Sequence, residues 1–387
     1  MGYYFCKTLI LLRGSLAASK GLRFLQIHLL LQTPFSIRYV SGNAADKHSF
    51  TVSYLINSCG FSPQSALLLS KKLQLKTEKP SDSVISFLSN HGFSQTQIRS
   101  FIRKCPNLLL CNPEKSLLPK FNFFYSKGLS RPELAALLSK HPYVLRRGLI
   151  SHIIPNYNFF KNLVGSGDDK VLLAFKRYAG VLCGDFKSLA PPNISLLREH
   201  GVAESGIVNL LMNQPRVVQA KHDKFSSVVQ ELKKKGFDPR KYAFLDAISA
   251  MLQMSKGTLE RKFNVYREWG WSEEQALHAF EKFPYCMIYS EYKITTAMDF
   301  LVNKMGLSPS YIAEIPTLLS YSLKKRIIPR CSVLQALVAK GLIKDGFKMS
   351  TVVSITEDKF LQKYVTCYKE EAPLLMKLYQ ENLSLSK

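Results

Sequence analysis

The chain has 387 residues, with 53 Lys and Arg against 28 Asp and Glu, a formal net charge of +25 and a pI near 9.7. A hydrophobic fraction of 46% with 21% charged residues excludes a mostly disordered chain. No apolar run reaches the eighteen or so residues of a membrane span, since even Leu25 to Leu31 contains Gln26 and His28, so the expected partner is anionic and no membrane is involved. Eight cysteines occur without any C-x-x-C pair, in a chain too long to need disulfides for its core; buried thiols in a reducing compartment are expected.

No acidic residue precedes Asp46, while Lys7, Arg13, Lys20, Arg23 and Arg38 are spread through hydrophobic and Ser-containing sequence. That is the chemistry of an organellar transit peptide, with a processing point near Arg38-Tyr39-Val40-Ser41. A secretory signal built on Lys7 and Leu9 to Leu12 is the rival, but its apolar run is short and Arg13 follows at once. The expectation is a transit peptide over residues 1–40 directed to the mitochondrion, with the chloroplast as the alternative, and a linker over residues 41–53. Removing five cations leaves about +20, so the basic bias belongs to the folded protein.

From residue 54 onward a glycine opens a recurring phrase. Gly60, Gly92, Gly128, Gly165, Gly201, Gly236, Gly270, Gly306 and Gly341 follow one another at intervals of 32 to 37, most before an apolar periodic run, as in Gly92-Phe93-Ser94, Gly128-Leu129-Ser130 and Gly270-Trp271-Ser272. Six past the glycine stand Ile98, Leu134, Val171, Ile207, Tyr242, Ala276 and Ile312. Nine past stand Phe101, Leu137, Ala174, Leu210, Leu245, Ala279 and Ile315. Ten past come Ile102, Leu138, Phe175, Leu211 and Phe280, with Asp246 and Pro316 as exceptions. These offsets share one helix face.

Ser94 to Gln97, Ser130 to Glu133 and Ser272 to Gln275 are capping boxes that start this helix. Pro106, Pro142, Pro215 and Pro284, each fourteen past a glycine, end it. A second helical stretch follows, such as 112–125 or 151–160, in which Pro119, Pro155 and Pro329 should kink or restart the helix. Two units read as degenerate: Gly180 replaces the proline in one, and no proline occurs near Ala250 in the other. A single helix pair cannot bury its apolar face, whereas stacked pairs share a core. The expected fold is therefore all-α: a solenoid of about eight two-helix repeats of roughly 35 residues over 54–345, followed by a C-terminal helical tail over 346–387.

These phrases resemble the mitochondrial transcription termination factor (mTERF) family. The similarity is carried by G-[FLW]-S before an apolar helix, then x-P-x-[LV]-L and L-x-P. It is most specific over residues 315–330, Ile-Pro-Thr-Leu-Leu-Ser-Tyr-Ser-Leu-Lys-Lys-Arg-Ile-Ile-Pro-Arg, which look like a late-repeat signature of the plant branch. The tail from Phe360 to Tyr379, with Tyr364 and Pro373, is also similar. The resemblance implies a superhelical α-repeat protein imported into an organelle, where it binds nucleic acid and modulates transcription or RNA processing.

One further column bears on that function. Twelve past the glycine stand Lys104, Lys140, Arg177 and Lys282, with Asn213 and Ile248 breaking the set, and Arg103, Arg146, Arg147 and Arg216 lie nearby. Stacking would align them as a stripe suited to a phosphate backbone. The competing reading is that each complements the dipole of its own helix end. Lys324, Lys325, Arg326 and Arg330 bracket Pro329 and exceed what one helix terminus uses, so phosphate contact is expected there. Lys233-Lys234-Lys235 reads as a solvated helix end, and the aromatics of Phe121 to Tyr125 and Tyr157 to Phe160 read as core.

Catalysis finds little support. Gly165-Ser166-Gly167 lacks the further glycine of a dinucleotide fingerprint, His278-Ala279-Phe280-Glu281 is not H-E-x-x-H, and Cys105 and Cys111 have no partners at zinc spacing. The expectation is a non-enzymatic regulator, without cofactor, metal or small-molecule substrate, acting as a monomer on duplex DNA. RNA binding in splicing or maturation is the first alternative, and a protein-binding scaffold the second.

Overall fold

The computed structural model of the protein describes residues 43–344 and 346–384, so the transit-peptide expectation lies outside the described residues. Every described element is helical. The first, Asn43–Asn57, starts inside the stretch expected to be a linker.

The repeat is built from the glycine outward. Gly128 has φ +99° and Gly92 φ +87°, a left-handed conformation that costs a residue with a Cβ roughly 1–2 kcal/mol. Each closes a Schellman motif: the Gly92 amide donates to the Ser89 carbonyl and Phe93 to Leu88, as Gly128 does to Tyr125 and Leu129 to Phe124. The reversal buries the next side chain, Phe93 or Leu129, in the core. The serine that follows then caps the new helix. Ser94 N–H donates to Gln97 Oε1 at 2.8 Å while Gln97 N–H donates to Ser94 Oγ at 3.3 Å, and the boxes at Ser130 and Ser272 close likewise.

The helices so started are Gln95–Lys104, Arg131–Lys140, Asp168–Arg177, Glu204–Asn213, Tyr242–Leu252, Glu273–Lys282 and Pro309–Glu314. Their apolar columns are buried where the helix begins three residues past the glycine, apart from Ile315, which is half-buried just past the end of Pro309–Glu314. Tyr242 is the exposed exception, at 60%. Asp238-Pro239-Arg240-Lys241 holds a turn, with Arg240 N–H on Asp238 Oδ1, so this helix starts six past Gly236 and its inward face becomes Phe244, Leu245, Ala247 and Ile248.

Most units have three parts, not two. After the proline the chain forms a short 3-10 helix: Pro106–Leu110, Pro142–Arg146, Ala179–Leu182, Val217–Gln219, Pro284–Ile288 and Pro316–Ser320. Ala179, not Gly180, takes the proline's place, so that unit is regular. The units containing Pro63–Ser70 and Tyr242–Leu252 have no 3-10 helix and go straight to their second helices, Lys79–Asn90 and Lys256–Glu268. The internal prolines restart the second helix through a π turn. Pro119, Pro155 and Pro329 lack an N–H and would clash with the carbonyl four residues back. The preceding turns, Pro113–Leu117, Leu149–Ile153 and Leu323–Ile327, widen so that Leu118, Ile154 and Ile328 bond five residues back instead.

First helices pack on first helices of the next unit, and 3-10 helices on 3-10 helices, for instance Pro142–Arg146 on Ala179–Leu182. One hydrophobic cluster runs from Tyr54 to Val353. A second joins Ile328–Ala339 to Glu357–Tyr364 and Leu375–Ser384 through Val333, Leu337, Phe360 and Tyr379.

Candidate nucleic-acid interface

The column of cations twelve past the glycine points at the next unit rather than at its own helix end. Lys104 Nζ donates to the carbonyls of Ser139 and Lys140 at 3.0 and 2.9 Å, the terminal carbonyls of the following first helix. Arg177 Nη1 donates to Met212 O at 3.2 Å and to Asn213 Oδ1, and Lys282 Nζ to Glu314 O and Oε2 at 3.0 and 2.6 Å. Helix-end complementation therefore operates across the junction, where it links units. All three side chains also remain exposed to solvent. Lys140 has no such carbonyl partner.

A second row of donors, which the sequence did not reveal, runs along the second helices. Asn156 Nδ2 donates to Gly184 O at 3.1 Å, Asn193 Nδ2 to Val218 O and Ala220 O at 2.9 and 2.8 Å, Lys224 Nζ to Leu252 O at 3.0 Å and Lys293 Nζ to Ser320 O at 3.2 Å. Lys120 and Lys262 do the same to Leu145 O and Tyr289 O. Each donor caps the end of the next unit's first helix or the chain segment that follows it.

Arg326 and Arg330 extend this row, which corrects their expected role. Arg330 is 1% exposed; its Nη1 donates to Val352 O and Ile355 O at 2.7 and 2.8 Å, and its guanidinium lies 4.7 Å from the centroid of the Phe360 ring. Arg326 Nε donates to Val353 O at 2.7 Å and the guanidinium lies over Tyr321. Both cap the end of Met349–Ser354, and Arg330 is sealed from any phosphate. Lys324 and Lys325 are exposed on the π turn.

The remaining expected residues gather on the edge formed by first-helix ends and 3-10 helices. Arg103, Lys140, Arg146, Arg147 and Arg216 are exposed there. Lys104 and Arg146 both act on the Cys105 thiol, lowering its pKa against the larger upward push of burial. Burial first, then Lys104 and Lys140, lowers the pKa of His141. Arg147 acts similarly on Cys183, whose pKa burial raises to about 11, and Arg216 acts on Tyr178. Exposed cations thus recur along the edge from one unit to the next.

Two grooves open on this edge. One, of about 410 Å³, lies between the Pro106–Leu110 and Pro142–Arg146 turns and is lined by Lys72, Lys104, Asn107, Tyr143 and Arg146. The larger, about 730 Å³, lies where the 3-10 row is interrupted, and is lined by Tyr178, Gln214, Arg216, Lys221, Lys224 and Gln253. Lys72 stands twelve past Gly60 and extends the cation column by one unit, whereas Lys221 and Lys224 fall outside it, so periodicity alone does not select them. Behind the larger groove, Tyr285 donates to Asp246 Oδ1 at 2.7 Å, with Gln214 and Ser249 completing a polar network. Burial raises the Asp246 pKa.

Among the described residues no cluster of three or more His, Cys, Asp or Glu could hold a metal ion, and no helix is long and apolar enough to cross a membrane. The expected core aromatics Phe121, Phe124, Tyr157 and Phe160 are fully buried, and Trp271 stacks on Tyr266 at 4.2 Å.

Comparison with known proteins agrees with this architecture. The chain is 22% identical over 292 residues, 76% of its length, to "Transcription termination factor MTERF8, chloroplastic" of Arabidopsis thaliana, and the match covers 56% of that relative. It is 27% identical over 103 residues, 27% of its length, to "Transcription termination factor MTERF15, mitochondrial" of the same plant, covering 23% of that protein. The chain thus spans about half the length of the first relative, and less of the second. The mTERF family model matches residues 85–248 and 241–361, and the chain belongs to the mTERF family.

Proposed function

We propose that this protein is an organellar regulator of gene expression that binds duplex DNA along its 3-10 edge and controls transcription, by termination or a related step. The observation that carries the reading is the row of exposed cations Arg103, Lys140, Arg146, Arg147 and Arg216, with Lys104 and Arg177 beside them, repeated unit by unit along stacked turns. Such a row neutralises a phosphate backbone over an extended length, and positions more than it specifies. Both relatives are named as organellar transcription termination factors, one chloroplastic and one mitochondrial, which supports an organelle. The test is fluorescence anisotropy of the full chain with duplex DNA, single-stranded DNA and structured RNA made from organellar genome fragments. Tightest binding to duplex, weakened across all duplex probes by combined Arg146→Ala, Arg147→Ala and Arg216→Ala, is expected. Preferential binding to RNA would assign the same edge to splicing or RNA maturation, and salt-independent or absent binding would leave a protein scaffold.

A further inference from the structure

The 3-10 turns share a burial pattern that the cations do not explain. In Pro106-Asn107-Leu108-Leu109, Pro142-Tyr143-Val144-Leu145 and Pro215-Arg216-Val217-Val218, the proline and the third and fourth residues are buried, while the second is exposed. Its identity changes from unit to unit: an amide, a phenol, a guanidinium. Packing requires none of them. Asn107 and Tyr143, the latter 49% exposed, have no hydrogen-bond partner in the fold.

The fourth unit places Gly180 at this position, and a Cβ there would come within 2.2 Å of the Tyr178 ring. The Tyr178 phenol therefore fills the space that a side chain at 180 would occupy, and supplies that unit's group. The two grooves pair these residues: Asn107 with Tyr143 in one, Tyr178 with Arg216 in the other. Each pair is flanked by cations able to hold phosphates on either side, Lys104 and Arg146 or Lys221 and Lys224.

We infer that Asn107, Tyr143, Tyr178 and Arg216 form a column that reads base edges of duplex DNA, one side chain per unit, while the surrounding cations fix the register. The inference rests on the reading of this edge as the DNA interface. Asn and Arg match the donor and acceptor edges of adenine and guanine in the major groove, whereas lysines on phosphates carry no sequence information. Packed helices lie roughly 8–10 Å apart and a duplex rises about 3.4 Å per base pair, so successive units meet it about three base pairs apart. The column therefore samples a site at intervals and does not read every base.

The test is selection of bound sequences from a random duplex pool by the full chain and its variants, with helical circular dichroism verifying the fold. Wild type should enrich a defined sequence. Asn107→Ala and Arg216→Ala should each flatten the preference over a few adjacent base pairs, by about fivefold or more in discrimination. Asn107→Arg should move the preferred base at its position to guanine. Combined Arg146→Ala and Arg147→Ala should weaken binding to all sequences and leave the enriched site unchanged. Salt-dependent duplex binding with no enriched sequence, or with the same sequence enriched by every column variant, would overturn the column and leave the proposed function intact. Enrichment from an RNA pool alone would overturn the duplex assignment, and absence of nucleic-acid binding would remove both.

Discussion

Arg330 and Lys325 stand five residues apart in one basic run, yet the fold uses them oppositely. Arg330 is enclosed and holds two carbonyls, so Arg330→Met should cost about 3 kcal/mol in denaturant unfolding, the order expected for two hydrogen bonds to a charged group. It should leave the salt slope of DNA binding unchanged. Lys325→Ala should have the reverse profile, near-native stability with weaker binding. Gly128 gives a purely backbone test: nothing lies within 4 Å of a Cβ added there, so Gly128→Ala should cost roughly 1–2 kcal/mol through its positive φ alone. Glu133 is a third residue-scale case. The Lys176 ammonium first, then the Ser130 amide and hydroxyl, hold its carboxyl down at about 2, against 4.5 ordinarily. A depressed acid contributes stability fully above its unfolded pKa and loses it as pH falls through the folded value. Glu133→Gln should therefore reduce the acid sensitivity of unfolding between about pH 4.5 and 2, and Lys176→Met should raise the Glu133 carboxyl pKa in an NMR titration.

At the scale of the element, what was legible in sequence is what recurs at fixed offsets. The glycines, capping boxes and apolar columns recur because each obeys a local backbone or helix-period constraint. The 3-10 helix was missed because the proline reads as a stop, and five residues after it carry no period of their own. The junction donors were missed for a different reason. Lys120, Asn156 and Asn193 do share one offset, 28 past their glycines and directly after a proline, but differ in type, whereas Ser81, Lys224, Lys262, Lys293 and Arg326 lie at other distances, so it is the folded geometry that aligns the whole set on the next unit's carbonyls. Tyr242 and Ile248 left their columns because one helix begins three residues late, a consequence of the turn at Asp238 that the glycine spacing conceals. Lys104→Met tests the junction directly. It should lower stability by about 1 kcal/mol, because the terminal carbonyls of Arg131–Lys140 lose a charged partner. Lys140→Met, with no carbonyl to release, should leave stability near native and weaken DNA binding alone.

For the whole molecule, the units form a row whose junctions are tied at the carbonyl ends of one element by donors from the one before. The same row carries the excess positive charge outward on its 3-10 edge. The twelve cations expected from sequence divide accordingly: Arg330 is interior, Arg326 is bound to carbonyls, Lys104, Arg177 and Lys282 tie junctions while still exposed, and the rest lie at the surface. The central claim is that this edge meets DNA phosphates. The most direct measurement is the salt dependence of duplex binding by the full chain, compared with a variant carrying Arg103→Ala, Lys140→Ala, Arg146→Ala, Arg147→Ala and Arg216→Ala. If about six phosphates are neutralised, log K should fall with log salt at a slope of roughly −5, and loss of five of those contacts should bring the variant's slope to roughly −1. An unchanged slope in the variant, with its helical fold intact, would place the DNA elsewhere and contradict the account.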